Sequence, residues 1–151
     1  MGKDRIESDR KPKFYKMQGP RIWIPLDVLQ GAAYANLKPT AKALLLDLAG
    51  QLRGSAKGGI TNNGDLTTAL KVLSTTGWKS DKTIRSAARE LERNKLIVKT
   101  RQGHLPNKAN LYAVTWVPLN PDEKLDIASK GFPLNGYKLL DRPPELKKIN
   151  G

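Results

Sequence analysis

Five side chains between residues 79 and 93 recur at the spacing that places residues on one side of an α-helix. Each helical residue turns by about 100°, so one stripe holds Lys79, Lys82, Ser86, Arg89 and Arg93. The opposite side is apolar and holds Ile84, Ala87, Ala88 and Leu91. We therefore predict a helix over residues 81–94 with one buried side and one cationic side. Fixed cations on such a surface bind phosphate groups.

A cationic helix of this kind can contact DNA in two ways. It fits the major groove, where side chains from its first turns reach the base edges, and Arg can donate two hydrogen bonds to guanine. We predict that the groove contacts come from Lys82, Thr83, Arg85, Ser86 and Arg89, with Arg93 farther along the same stripe. Lys79 and Ser80 are predicted to bind phosphate, because free N–H groups and the helix dipole attract anions at a helix start.

The residues before this helix predict a partner helix and a turn. Residues 62–65 form a turn whose Asp65 can cap a helix over residues 66–74, with Leu66, Leu70 and Leu73 on its buried side. Gly77 is expected in a left-handed conformation after that helix, and Ser80 is expected to cap the next one. Two helices joined by a short glycine-containing turn make a helix-turn-helix.

The residues after the helix predict a β-hairpin. Two β-rich runs, 96–101 and 110–116, flank residues 102–109, which contain Gly, Pro and Asn. A hairpin directly after the second helix is a wing. Four of its residues are predicted to reach phosphate or the minor groove: Arg101, His104, Asn107 and Lys108. Trp78, Tyr112 and Trp116 are predicted to lie in the core rather than to stack on bases.

The remaining segments complete a three-part organisation. Residues 1–20 are predicted to be a flexible basic arm, and residues 21–117 the globular domain, with a strand at 21–25, a short helix at 26–34 and a core helix at 37–52. Residues 118–151 form an extension in which Asn120 and Glu123 predict a capping box. One short helix should follow and end before Gly131, with irregular chain at 132–140.

The composition excludes several classes of protein. The net charge is +13, which favours a polyanionic partner. The most apolar run, residues 41–52, is far shorter than the roughly 20 residues of a bilayer span, so we expect no membrane partner and a cytoplasmic location. With no Cys and one His, the chain offers no zinc site, and no grouping suits catalysis. We expect no metal, no cofactor, no small-molecule ligand and no enzymatic activity.

Residues 37–116, about half of the chain, resemble winged-helix proteins of phages, plasmids and other bacterial mobile elements. The resemblance is carried by segments 43–49, 62–64, 80–92, 94–97 and 111–116. It implies an α+β, mainly α fold: a winged helix-turn-helix with a C-terminal hairpin wing and extended terminal segments. It also implies a double-stranded DNA partner and transcriptional regulation, with repression by occupying a promoter.

Two alternatives stay open at this point. One is DNA binding for plasmid or phage replication or partition, and the other is a winged-helix module that binds a protein. The sequence does not decide between a monomer and a homodimer, and nothing in it resembles a known arm or extension.

Overall fold

The structure is a computed structural model that describes residues 19–104 and 108–141. The strand predicted for residues 21–25 is wrong: this segment is irregular, and the three-stranded sheet of the described residues is formed farther along the chain. Two short helices, α1 (Leu26–Gln30) and α2 (Ala32–Ala35), replace the single helix predicted for 26–34. Gly31 between them is extended, and a Cβ there would lie 2.9 Å from the Asp27 carbonyl oxygen.

The core helix α3 (Pro39–Gly50) lies within the predicted range 37–52 and is two residues shorter at each end. Pro39 occupies the first turn, where its missing N–H costs no hydrogen bond. The prediction of a core helix is confirmed by its apolar side chains, since Ala41, Leu44, Leu45 and Leu48 are buried and Leu52, just after the helix, is half-buried.

The helix predicted over residues 66–74 is only partly correct. The chain first forms β1 (Leu66–Thr67), then α4 (Leu70–Leu73) and a 3₁₀ turn, Ser74–Thr76. Strand pairing prevails over local helix propensity because the Thr67 N–H donates to the Gln51 side chain at 2.8 Å while β1 pairs with a distant strand. Asp65 does not cap a helix; it forms an ion pair with Lys124 at 2.8 Å.

The second helix of the predicted pair, α5 (Asp81–Arg93), agrees with its prediction. Gly77 has a φ of 102° in the left-handed region, and the Ser80 hydroxyl accepts from the Thr83 N–H at 3.2 Å. Its apolar side packs into the core together with α3, and all four of its predicted members are buried: Ile84, Ala87, Ala88 and Leu91.

The predicted hairpin is present as β2 (Ile97–Arg101) and β3 (Leu111–Val114), paired antiparallel. The strand order is β1-β3-β2, so β1 adds to the free edge of β3, with Leu66 opposite Tyr112. An irregularity between Lys99 and Arg101 shifts the register of the hairpin. The fold is therefore α+β, with short helices and a small three-stranded antiparallel sheet.

The helix predicted after Pro118 is absent from the described residues, where two 3₁₀ helices follow instead, Ser129–Gly131 and Gly136–Asp141. Asn120 cannot cap a helix because its side chain is used elsewhere. It accepts from the Asn63 N–H at 2.8 Å and donates to the Ile60 carbonyl at 2.9 Å.

The second 3₁₀ helix returns to the N-terminal helices, within the stretch predicted to be irregular. Tyr137 is 1% exposed, and its hydroxyl donates to the Asp27 carboxylate at 3.2 Å. Burial and the Asp27 charge raise the pKa of Tyr137 to about 12. Lys138 pairs with Asp27 at 3.1 Å, and the Asp141 carboxylate accepts from the Ala32 N–H at 2.7 Å. The described part of the extension therefore packs on the same core as the helices.

Asn63 joins three parts of the chain from a fully buried position. Its amide nitrogen donates to the carbonyls of Val114, Val117 and Pro118 at 2.9, 2.8 and 3.2 Å. Its side-chain oxygen accepts from the Val114 N–H at 2.9 Å. One amide thus satisfies backbone groups at the end of β3 and at the start of the extension.

We expect Asn63→Ala to lower the free energy of unfolding by about 3 kcal/mol, because it leaves buried backbone groups without partners. Urea denaturation monitored by circular dichroism measures the change. Asn36→Ala, at an exposed position, is the matched control and should have little effect. Equal losses for the two variants would show that the buried amide does not hold the sheet and the extension together.

Candidate nucleic-acid interface

The cationic side of α5 faces away from the core. A helix that buries Ile84 and Leu91 must direct the residues half a turn away toward solvent. All eight residues predicted as contacts in the turn and in α5 are exposed: Lys79, Ser80, Lys82, Thr83, Arg85, Ser86, Arg89 and Arg93. The prediction that α5 has one buried side and one exposed cationic side is therefore confirmed, whereas the contacts of these residues stay a prediction.

The cations of this surface are not equally available. Arg85 forms an ion pair with Asp81 at 3.3 Å, and both side chains are more than half exposed. Such a solvated pair stabilises the helix by only a few tenths of a kcal/mol. It nevertheless places a carboxylate next to Arg85, so Arg85 presents less net charge to an anion than Arg89 does.

A groove of about 460 Å³ lies between α5 and the β2–β3 hairpin. We call it the α5–hairpin groove. It brings together four of the predicted contact residues: Arg85, Arg89, His104 and Lys108. Lys82, Ser86 and Arg93 are not among its lining residues and lie on the outer side of α5. The candidate surface therefore has two parts, an outer helix side and a groove beside it.

The groove also contains residues that were not predicted as contacts from the sequence, among them Glu92, Lys99 and Asn110. Lys99 lies two residues after Ile97, which is buried in the core beside α5, so strand alternation could have placed Lys99 on the side of β2 that faces the helix. Burial raises the pKa of the Glu92 carboxyl, and the charges of Lys99 and Arg89 oppose that rise without cancelling it.

The hairpin keeps its shape through contacts at its loop end. Asn110 accepts from the Gly103 N–H at 2.6 Å, and a Cβ at Gly103 would overlap the Lys108 carbonyl oxygen. A side chain at position 103 would therefore collide with the backbone of the returning strand. This geometry leaves His104 and Lys108 exposed, facing each other across a β-bridge. Asn107, another predicted contact, lies outside the described residues.

Arg101 occupies a different position from the other predicted contacts. It is half-buried, and its Nη2 donates to the Ala109 carbonyl at 3.0 Å. Its Nε is buried without a hydrogen-bond partner among the described residues. Part of the guanidinium thus holds the two arms of the hairpin together, which limits what it can offer to a ligand.

The three aromatic residues predicted for the core differ in their burial. Tyr112 and Trp116 are buried, as predicted, and burial raises the pKa of the Tyr112 hydroxyl. Trp78 is half-buried, and its indole N–H donates to the Asp47 carboxylate at 2.5 Å. That bond ties the turn before α5 to α3.

Two further kinds of site are absent from residues 19–104 and 108–141. In this part of the chain no three or more His, Cys, Asp or Glu side chains are grouped so that they could hold a metal ion. No helix in these two ranges combines the length and the apolar character that crossing a membrane requires.

We expect Arg101→Ala to lower the free energy of unfolding by about 1–3 kcal/mol, because the Ala109 carbonyl loses its donor and the hairpin loses the packing of the side-chain stem. Urea denaturation is the measurement. Arg53→Ala removes the same charge from an exposed loop and is the control. If Arg101→Ala is no less stable than Arg53→Ala, the inward hydrogen bond contributes nothing and Arg101 is free for a ligand.

Comparisons of the chain with protein-family models, with curated proteins and with solved structures found no match. The resemblance to winged-helix proteins therefore stays a prediction. Any proposal of function must therefore be argued from the surface that α5 and the hairpin form.

Proposed function

We propose that the protein binds double-stranded DNA in a sequence-dependent manner through a winged helix-turn-helix module. In this proposal α4 and α5 are the two helices, and the β2–β3 hairpin is the wing. The observation that carries it is the α5–hairpin groove beside the exposed side of α5, where cations from two elements meet. Sequence-dependent binding to DNA requires cations in fixed positions, and here a helix and a hairpin hold them.

The order of elements supports the module. A core helix is followed by a short strand, the two helices and a hairpin, and β1 closes the sheet by pairing with β3. The sheet packs on the same core as α5, so the hairpin projects beside the helix instead of trailing from it. A helix in the major groove and a hairpin over the adjacent backbone require this side-by-side arrangement.

The outer side of α5 suits base reading. Lys82, Ser86 and Arg89 are exposed and lie within the first nine residues of the helix, the part that enters a major groove most deeply. Arg89 can donate to two acceptors of one guanine, and Lys82 and Ser86 can each bond a base edge or a phosphate.

The turn and the groove suit phosphate. Ser80 caps the Thr83 N–H and so occupies one of the free donors at the helix start, while Lys79 beside it is exposed. Lys99 and Lys108 line the groove on its hairpin side. Contacts of this kind set the register of the protein on DNA and add affinity without sequence preference.

The biological role that we propose is repression of transcription by occupying a promoter. The protein carries a net charge of +13 and offers one reading helix, which suffices for binding that excludes another protein from the same stretch of DNA. Control of replication or partition by a plasmid or phage would use the same contacts at a different site. A selection of bound fragments from random DNA identifies the target, and a palindromic result would indicate a homodimer.

One observation favours a second candidate function, binding of a protein partner. An open, largely apolar pocket of about 490 Å³ lies between α3 and the turn before α5, lined by Leu46, Trp78 and Thr83 among others. Leu46 is 52% exposed there, so the pocket presents an apolar side chain to a partner. A partner bound at this pocket would depend little on salt, whereas DNA affinity falls steeply as salt rises, because phosphate contacts release counterions.

We expect Arg89→Ala to weaken binding to the preferred site by about 1–3 kcal/mol and to reduce the affinity ratio between preferred and scrambled sites, since a paired guanine contact discriminates by that amount. Lys108→Ala should weaken both sites alike and flatten the dependence of log affinity on log salt by about one unit. Fluorescence anisotropy titrations of both duplexes at several salt concentrations provide these numbers.

Lys57→Ala is the charge-matched control, since Lys57 is exposed in a loop that does not line the groove. The docking arrangement is wrong if Lys108→Ala removes the sequence preference while Arg89→Ala preserves it. DNA binding itself is excluded if the wild-type chain shows no salt-dependent affinity for either duplex.

A further inference from the structure

A carboxylate lies in the groove that the proposed function assigns to DNA. Glu92 is half-buried in the last turn of α5 and lines the α5–hairpin groove. Arg85, Arg89 and Glu92 follow each other at steps of four and three residues, so they share one flank of the helix. That flank faces the hairpin, whereas Lys82 and Arg93 face outward. A phosphate entering the groove must therefore approach Glu92 as well as the cations.

Glu92 is not neutralised by a direct partner. It makes no ion pair with any Lys or Arg of the described part of the chain, unlike Asp81, which pairs with Arg85. Lys99 and Arg89 act on it through their charge without touching it. Glu92 thus weakens the attraction of both cations for an anion, and it keeps a negative charge where phosphate would lie.

The half-buried position of Glu92 disfavours its ionised form. Burial raises the pKa of the Glu92 carboxyl because a charged group is less well solvated there. A phosphate in the groove would raise the same pKa further, since a like charge disfavours ionisation. DNA binding and proton uptake at Glu92 would then favour each other, as linkage requires.

We propose that Glu92 limits the affinity of the groove for DNA and that its protonation removes the limit. The inference rests on the proposed DNA-binding function and assigns a regulation to the same site. In its ionised form Glu92 opposes each phosphate that enters, and in its protonated form the groove is purely cationic apart from the Asp81–Arg85 pair. The affinity of the protein for DNA therefore rises as the pH falls toward the pKa of Glu92.

Other titratable groups face the same groove and must be separated from Glu92. They are Asp81, Arg85 and Arg89 on α5, Lys99 and Tyr112 on the sheet, and His104 and Lys108 on the hairpin. Because several groups share the groove, wild-type affinity alone does not identify the one responsible. A variant that replaces only the ionisable carboxyl of Glu92 does identify it.

The test compares Glu92→Gln with the wild-type chain. Gln has nearly the same shape and is neutral at every pH, so the variant should fold with unchanged or higher stability, which urea denaturation checks. At neutral pH it should bind both the preferred and the scrambled duplex about tenfold more tightly, the size of a like-charge effect over roughly 10 Å near a protein surface. Glu123→Gln makes the same change of net charge at an exposed position outside the groove and should alter affinity by less than about twofold.

The pH dependence provides the second measurement. Between neutral pH and mildly acidic pH the wild-type affinity should rise more steeply than that of Glu92→Gln, and the difference between the two curves belongs to Glu92. The inference is overturned if Glu92→Gln binds no more tightly than Glu123→Gln, or if both curves run parallel. If Arg89→Ala still relaxes sequence preference in that case, the proposed function survives without the inference. If no variant binds either duplex, the proposed function fails and the inference falls with it.

Discussion

The packing of one side of α5 into the core is the interaction on which the other features depend. Ile84 and Leu91 leave almost no surface exposed, and Ala87 and Ala88 between them are small enough to let the helix lie close to its neighbours. A helix fixed in this way has no rotational freedom. Lys82, Arg89 and the rest of the cationic side are held outward because burying any of them unpaired would cost several kcal/mol. The cationic surface is thus a consequence of core packing, and the core would have to be rebuilt to move it.

The hairpin is positioned by polar contacts rather than by apolar burial alone. Asn63 bonds to both backbone groups of Val114 and to the carbonyls that follow β3, while Thr100 in β2 donates its hydroxyl to the Gly64 carbonyl at 2.6 Å. These bonds anchor the sheet to the loop before β1, and the sheet sets the width of the α5–hairpin groove. The extension shares this anchor through Asn120, so the groove, the sheet and residues 118–141 form one connected unit.

The sequence predicted the elements whose apolar spacing repeats over a short range. The boundaries of α3, α5 and the two hairpin strands came within about two residues, because a repeated apolar spacing is a local signal. It did not predict β1, whose two residues become a strand only by pairing with Leu111 and Tyr112, more than forty positions away. The capping box at Asn120 failed for the same reason, since its side chain bonds to Asn63 across 57 positions. In the candidate interface, the exposure of the α5 cations could be predicted from periodicity. The inward hydrogen bond of Arg101 could not be predicted, because it depends on the register of the hairpin.

The balance of charge in the groove shows why net charge is a poor measure of a binding surface. The chain carries +13, yet the flank of α5 that faces the hairpin carries both signs in equal number, with Asp81 and Glu92 on either side of Arg85 and Arg89. Arg89 lines this flank and is also exposed, so in the proposed complex it would contact a base or a phosphate. Whichever it contacts, the nearby carboxylate acts on it, and mutations at Arg89 and Glu92 should therefore not have additive effects. Removing Arg89 leaves Glu92 with one cation fewer and the groove less attractive to phosphate by more than the lost contact alone.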